Sequence, residues 1–256
     1  MKISIISPAH NEAERIRPFL DSYCSYFAEK QTAVRDVEII VVVNHSTDAT
    51  ESIVRDYMQT YPFLKLMVEE GKVGKGGALL LGFDQADGDW IGFVDADGAT
   101  PPDAFMDLIQ HLDRAEVIIA SRWMPGADVQ PPQPLSRRVA SRIFNTMVRW
   151  MFGFKISDTQ CGAKLMKGDA LRKVRPDVGI TQWAFDVDLL YQFKRHGFRI
   201  EEYPTRWHDV SGSKVDVVRA SLEMTVALVR LRLIYSPFRF IVKLYDLTLG
   251  HWLKRH

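Results

Sequence analysis

Cysteine is almost absent from this chain: Cys24 and Cys161 are its two thiols in 256 residues. Two cysteines so far apart make neither a disulfide framework nor a metal-ligand spacing, and they suit a reducing compartment. Histidine is scarce too, and none of the seven forms an H-x-x-x-H pair, which argues against a zinc helix. Charge of one sign is not in excess: 33 Lys and Arg stand against 32 Asp and Glu, a formal +1, so the field of a nucleic-acid-binding protein is excluded. The chain has no apolar run of the ~18 residues that a bilayer-spanning helix needs, because Arg230, Arg232, Arg239, Lys243 and Asp246 interrupt the apolar tail. Lys2–Ser7, with no cationic leader, is too short for a signal peptide, and a cytosolic location is expected. Internal repeats and low-complexity tracts are missing as well.

What is present is a rhythm. Apolar runs at Lys2–Ser7, Val37–Val43, Leu64–Val68, Trp90–Val94 and Val117–Ala120 alternate with segments of helical period at Asn11–Ala28, Asp48–Thr60, Lys75–Ala86 and Pro102–Leu112. Strand and helix alternating from the first residues predict an α/β fold with a mostly parallel sheet covered on both faces. The 46% apolar content suffices for one large domain with an appendage, with the boundary at 215: a catalytic domain over 1–215 and an amphipathic helical extension over 216–256. Beyond Ser121 the pattern changes. Met124–Leu135 holds Pro125, Gly126, Pro131, Pro132 and Pro134 and is expected to be a mobile loop bordering the site. Leu135–Phe152 reads as a basic amphipathic helix, Trp183–Arg195 as another, Phe198–Tyr203 as a short strand, and Val215–His256 as helical with a break at Ser236-Pro237.

The chemistry gathers where these strands end. Asp95-Ala96-Asp97 follows the buried run Trp90–Val94, and alternate strand residues point the same way ~6–7 Å apart, so both carboxylates can face one hard divalent cation. A lone Asp-x-Asp is more often a turn, so neighbouring loops must decide. Pro8, Asn11 and Glu12 follow the first strand, and Asn11 serves equally as a helix cap or as an acceptor toward a nucleoside. Asn44 to Thr50 occupies the same place after the second strand, with Ser46 or Asp48 as the cap. Lys72-Val73-Gly74-Lys75-Gly76-Gly77-Ala78 opens a helix. Its glycines permit close backbone approach and its lysines favour a diphosphate, but the spacing is not that of a P-loop.

Taken in order, Pro8…Asn11-Glu12, Ser46-x-Asp48-x-Thr50, Gly74–Ala78, Asp95–Thr100, Ser121-Arg122, Asp158-Thr159-Gln160-Cys161-Gly162-x-Lys164-Leu165, Trp183–Tyr191 and Gly212-Ser213-Lys214 resemble the family 2 glycosyltransferases over roughly residues 3 to 235. The polyprenyl-phosphate hexosyltransferases are the branch it looks most like, and within them the glucosyl enzymes. The resemblance implies a GT-A fold and a metal-dependent, inverting transfer of glucose from UDP-glucose to dolichyl or polyprenyl phosphate at the cytosolic membrane face, with Mg²⁺ or Mn²⁺ as cofactor. GDP-mannose as donor, or a non-lipid glycan as acceptor, are the alternatives. Carried over residue by residue, it implies that Pro8, Asn11 and Glu12 hold the nucleoside with Asp48 behind them. Lys75, Gly76 and Lys214 face the diphosphate, Asp97 is the principal metal ligand, and Asp95 contacts the metal or the nucleotide ribose. Arg122, Arg137, Ser141 and Asn145 would receive the acceptor phosphate. Two departures stand out: Asn44-His45 replaces the family's acid pair, and no hydrophobic anchor precedes residue 1, so membrane attachment falls to the rest of the chain.

These residue types suit that chemistry without the name. A phosphate monoester has its second pKa near ~6 and is already a nucleophile at neutral pH, so the site needs positioning rather than a strong base. Arginine forks supply it, binding phosphate oxygens in pairs. Cys161 reads as a packing residue, Trp183 and Phe185 as core or as stacking surfaces, and Asp186 and Asp188 as sugar contacts or solvated charges. Arg138, Arg142 and Arg149 share one helical face, either solvated or interfacial given nearby Trp150, Phe152 and Phe154. Residues 225–256 carry six Lys or Arg against one acid among Leu, Ile, Phe and Trp252, a stripe suited to a membrane surface or to a second subunit in a homo-oligomer.

Overall fold

The computed structural model describes residues 1–29, 36–132, 134–179, 182–208, 217–240 and 242. Its first half follows the expected alternation: β1 (Lys2–Ala9), α1 (Ile16–Glu29), β2 (Asp36–Asn44), α2 (Thr50–Met58), β3 (Leu64–Glu69), α3 (Gly74–Gln85), β4 (Trp90–Phe93), α4 (Pro102–Ile109) and β5 (Val117–Ser121). The second half contributes β6 (Asp128–Gln130), α5 (Leu135–Phe152), β7 (Lys164–Lys167), α6 (Gly168–Val174), α7 (Phe185–Arg195), β8 (Ile200–Pro204), β9 (Arg206–His208) and α8 (Val217–Ile234).

Seven strands form one sheet in the order β3-β2-β1-β4-β7-β5-β8. All neighbours are parallel except β7, which runs antiparallel between β4 and β5. Along β1 and β2 successive side chains point to opposite faces, and both faces are covered. Ile6, Ile40 and Val42 pack with Leu79 and Phe83 of α3, Val148 and Phe152 of α5 and Leu189 of α7. Ile3, Ile5, Ile39 and Val41 pack with Phe19, Leu20 and Tyr23 of α1, Ile53 of α2 and Phe105 of α4. Each such burial contributes roughly 1.5–3 kcal/mol, which makes the sheet a rigid platform for the loops at its carboxyl edge. Leu228 and Leu231 of α8 join the first of these cores and seat that helix beside α5.

Three expectations are corrected. Helix α1 begins at Ile16 rather than Asn11, because Asn11 sits in the left-handed region at φ 53° and residues 11–13 are held by the loop after β2. The stretch Met124–Leu135 is not loop throughout: Asp128–Gln130 is β6, paired in parallel with β9, and its prolines flank the strand instead of entering it. Strand β7 was not anticipated at all. The helical tail is broken near Ser236-Pro237 as expected, and 243–256 lies outside the described residues. No helix among the described residues is long and apolar enough to cross a membrane.

Candidate active site

The loops after β1 and β2 are clasped together at the carboxyl edge. Asn11 donates its backbone N–H to Ser46 Oγ at 3.0 Å and accepts from the Thr47 N–H on its side-chain Oδ1 at 2.8 Å. Asp48 accepts from Ala13 N–H and Thr50 N–H, both at 3.0 Å, and Glu12 N–H donates to Thr50 Oγ1 at 2.8 Å. Burial works against ionisation of Asp48, but these hydrogen bonds outweigh it and hold its carboxyl below the ordinary value. Asp48 therefore ties the two loops together. Half-buried Pro8 is the penultimate residue of β1. Asn44, one of the two departures, ties the third loop in: its Nδ2 donates to Gly71 O at 2.6 Å and its Oδ1 accepts from Gly74 N–H at 3.0 Å. Burial pushes the Glu12 carboxyl up; Arg15, with Nε 2.6 Å from Oε2, opposes this, while Asp97 and Asp95 add to it. Glu12 thus belongs to the same electrostatic cluster as the Asp pair.

Asp95 and Asp97 lie just past β4. Lys75 from the first turn of α3 places Nζ 2.5 Å from Asp95 Oδ1. Burial alone would lower the Lys75 pKa; Asp95, then Asp186 and Asp97, more than compensate and hold it above the ordinary lysine value. Asp97 accepts from Ala99 N–H at 3.0 Å, yet burial and the charge of Asp95 still push its carboxyl up. Two carboxylates that repel each other in a partly buried cleft fit a hard divalent cation, which would relieve that repulsion. Among the described residues no group of three or more His, Cys, Asp or Glu gathers for a metal. Two glycines keep the cleft open. A Cβ on Gly162 would stand 2.1 Å from Asp95 Oδ2, and one on Gly76 would stand 2.7 Å from Phe185 Cδ2.

Arg122 extends from the end of β5 onto Asp158, which is fully buried: Nε donates to Oδ2 at 2.8 Å, Nη2 to Oδ1 at 2.9 Å, and the Arg122 backbone N–H to Oδ2 at 3.0 Å. Its guanidinium also lies 4.9 Å from the Trp207 ring centroid. The fork is thus occupied on one side, and the rest of Arg122 borders a cavity of about 1620 Å³. Lys75, Gly76, Arg137 and Ser141 border the same space, so the structure brings these together with Arg122. Asn145 it puts to a different use: buried, it accepts from Thr159 N–H and Oγ1 at 3.0 and 2.9 Å and donates to Ser141 O at 3.0 Å, locking α5 onto the segment after it. Away from the polar end the cavity runs between α5 and α8 along Val139, Ile143, Phe144 and Met147 on one side and Leu222 and Met224 on the other. It is a trough with a cationic head.

The remaining candidates separate cleanly. Cys161 is buried and its thiol is pushed up to about 12 by burial, with Asp158 adding to the shift, so it is packing rather than nucleophile. Asp186 pairs with Lys164 at 2.6 Å and borders the cavity. Asp188 is fully buried and accepts from Tyr235 Oη at 2.6 Å and Gly179 N–H at 3.0 Å, a structural role. Phe185 is core, whereas Trp183 is 42% exposed on the cavity rim, its Nε1 donating to Glu223 at 3.1 Å. Lys214 lies outside the described residues. Sequence reasoning missed the pairing of Arg122 with Asp158 and the fully buried Lys164; the only signal was their presence in the same ordered motifs.

A mostly parallel sheet with an Asp-x-Asp at its carboxyl edge and a helix-opening Gly/Lys loop beside it defines a GT-A glycosyltransferase. The family model described as glycosyl transferase family 2 matches residues 4–175, and the chain belongs to that family. It is 31% identical over 257 residues to a dolichyl-phosphate beta-glucosyltransferase of Dictyostelium discoideum, covering 96% of this chain and 76% of that one. The Saccharomyces cerevisiae protein of the same name is also 31% identical, over 91% of this chain and 75% of its own. Among solved structures, glucosyl-3-phosphoglycerate synthase from Mycobacterium tuberculosis, crystallised with Mn²⁺, UDP-glucose and phosphoglyceric acid, superposes with a TM-score of 0.66 at 18% identity, over 92% of this chain and 81% of the other.

Proposed function

We propose that this glycosyltransferase moves glucose from UDP-glucose to dolichyl or polyprenyl phosphate with inversion at the anomeric carbon, working at the cytosolic face of a membrane that it meets peripherally. One observation carries the lipid acceptor: the cavity of about 1620 Å³ joins a polar head at Lys75, Arg122 and Arg137 to an apolar trough between α5 and α8. A soluble glycan needs no such trough, whereas a phosphate on a long hydrocarbon matches both ends. Glucose is supported by the names of the two relatives at 31% identity. Residues 1–215 carry the catalysis; in the extension over 216–256, α8 supplies one wall of the trough, and the extension with α5 makes the membrane contact.

Each residue then has a task. Pro8, Asn11 and Glu12 shape the nucleoside edge, and Asp48 keeps the two loops in register. Lys75, Gly76 and Lys214 face the donor diphosphate. Asp95 and Asp97 would hold Mg²⁺ or Mn²⁺, which supplies stabilisation of the departing nucleoside diphosphate. Arg137 and Ser141 orient the acceptor phosphate, while Asp158 holds Arg122 so that its free N–H groups border the same space. The acceptor oxygen attacks the anomeric carbon from the side opposite the diphosphate, so an α-linked donor yields a β-linked product. No base is required for an oxygen already ionised at neutral pH.

A donor panel with radiolabelled UDP-glucose and GDP-mannose, assayed on short polyprenyl phosphate and on a soluble alkyl phosphate, tests this. UDP-glucose should give the higher kcat/KM, and the polyprenyl acceptor should outperform the soluble one. Preference for GDP-mannose would replace the donor; indifference to the hydrocarbon would remove the assigned role of the trough.

A further inference from the structure

A second pocket, of about 440 Å³, shares Arg122 with the acceptor trough and is otherwise lined by β6 and its flanks and by the first turns of α5. Its cationic wall is Arg122, Arg138 and Arg142. Arg122 is already matched by Asp158. Arg138 and Arg142, one helical turn apart, have no carboxylate partner among the described residues, and Arg142 is held over the Trp123 ring at 4.4 Å from its centroid. Stacking on an aromatic face orients a guanidinium without using its donors. The wall also contains a buried donor with no acceptor, Nε1–H of Trp123. Asp128 is the pocket's acid, and its Oδ1 accepts from Gln130 at 3.1 Å. Two free arginines against one aspartate leave a net charge of +1, which suits a monoanion.

The flank of the pocket indicates where such an anion comes from. On α5 the residue after each pocket arginine, Val139 after Arg138 at 49% exposed and Ile143 after Arg142 at 57%, belongs to the exposed wall of the acceptor trough, so the apolar strip beside the pocket is the trough's own edge. Leu135 and Trp150 continue that strip at 73% and 86% exposure. A diester phosphate next to an apolar strip is the chemistry of a glycerophospholipid.

We propose that this pocket binds the phosphodiester headgroup of an anionic glycerophospholipid, at a site distinct from the acceptor trough. The proposal rests on the peripheral membrane contact put forward above and adds to it a defined headgroup site. Such a site would fix the rotation of α5 on the bilayer and keep the mouth of the trough toward the lipid.

The test uses the full chain and co-sedimentation with vesicles of phosphatidylcholine, alone or mixed with phosphatidylglycerol. The wild type should bind the mixed vesicles more tightly, and the Arg138→Gln/Arg142→Gln variant should lose about 30-fold of that affinity, two basic residues each contributing near an anionic surface. Arg149→Gln/Lys155→Gln removes the same charge from α5 and the residues just after it, outside the pocket, and should lose only a few-fold. Turnover of a detergent-dispersed acceptor should be unchanged in both. Dihexanoyl-phosphatidylglycerol below its micellar concentration should compete with vesicles for the wild type, and inorganic phosphate at equal concentration should not. Equal losses in the two double variants would reduce the pocket to diffuse charge and overturn the proposal, as would competition by inorganic phosphate alone. Equal binding to both vesicle types would leave the membrane contact standing and remove the headgroup site; failure to bind either would remove the membrane contact itself.

Discussion

Replacing Asp158 by asparagine changes one buried oxygen to an amide and almost no volume, which makes it the sharpest probe of how the acceptor end is held. Asp158 is fully buried, the Arg122 side chain is 13% exposed, and three donors converge on the carboxylate within 3.0 Å. Asparagine keeps one acceptor but turns an N–H₂ toward those donors, leaving a buried guanidinium without its charge partner. Removing one member of a buried pair costs about 3–5 kcal/mol, and for a chain of this size that lowers Tm by roughly 10 °C. Thermal unfolding followed by circular dichroism measures it. The double variant Arg122→Met/Asp158→Leu should regain much of the stability, because it removes both charges and keeps the volume. The pH dependence has a definite sign. Burial would raise the Asp158 carboxyl, but Arg122 overrides it and holds it below the ordinary 3.8, so the contribution is fully present above 3.8 and is lost as pH falls through the lower folded value. Asp158→Asn should lack that acid-side loss. A destabilisation under about 1 kcal/mol, typical of an exposed pair, would refute the reasoning.

Asp97→Asn should lower turnover by orders of magnitude without lowering Tm, since burial and Asp95 already disfavour its charge; near-normal turnover in the presence of a chelator would contradict the assignment of the Asp pair. Arg137→Ala should raise the acceptor KM and leave UDP-glucose affinity, measured by calorimetry, within a factor of about two, with Arg137→Lys restoring only part because an ammonium cannot form the fork. Lys214→Ala should show the opposite split, weaker donor binding with the acceptor KM unchanged.

The sequence displays the half of the fold that local pattern controls. Apolar runs and helical periods locate β1 to β5 and α1 to α4, because β1, β2, β4 and β5 are buried on both faces and must be nearly continuously apolar, and edge strand β3 keeps enough apolar residues to follow them. Strand β7 escapes this logic. Lys164-Leu165-Met166-Lys167 is four residues long, begins and ends in lysine, and enters the sheet antiparallel between two strands that precede it in the chain. A fully buried lysine is tolerable here because Lys164 Nζ donates to Cys161 O and is charge-matched by Asp186, and that ion pair, 22 residues away, is not a local signal. Strand β6 hides similarly among prolines. At the site, residue types were legible and their use was not: Asn145 is bonded to Thr159 rather than turned toward the acceptor, a distinction made by packing of α5 and not by spacing along it.

The segment from Asp158 to Gly162 ties together the parts of the site that the proposed function assigns to donor and to acceptor. Asp158 fixes Arg122, Thr159 is fixed by Asn145 of α5, Cys161 O accepts from Lys164 Nζ at 2.7 Å, and Gly162 backs directly onto Asp95. One short stretch therefore touches Arg122, α5, the sheet through Lys164, and Asp95 in turn. Its residues are held by buried donors and acceptors, where small displacements leave polar groups unpaired at a cost of ~1–3 kcal/mol each. A side chain at residue 162 would collide with Asp95, so the stretch that carries Asp158 also limits the space behind that carboxylate. If donor and acceptor bind as proposed, this stretch would hold the two halves of the site at a fixed separation, which an in-line displacement between two separately bound substrates requires.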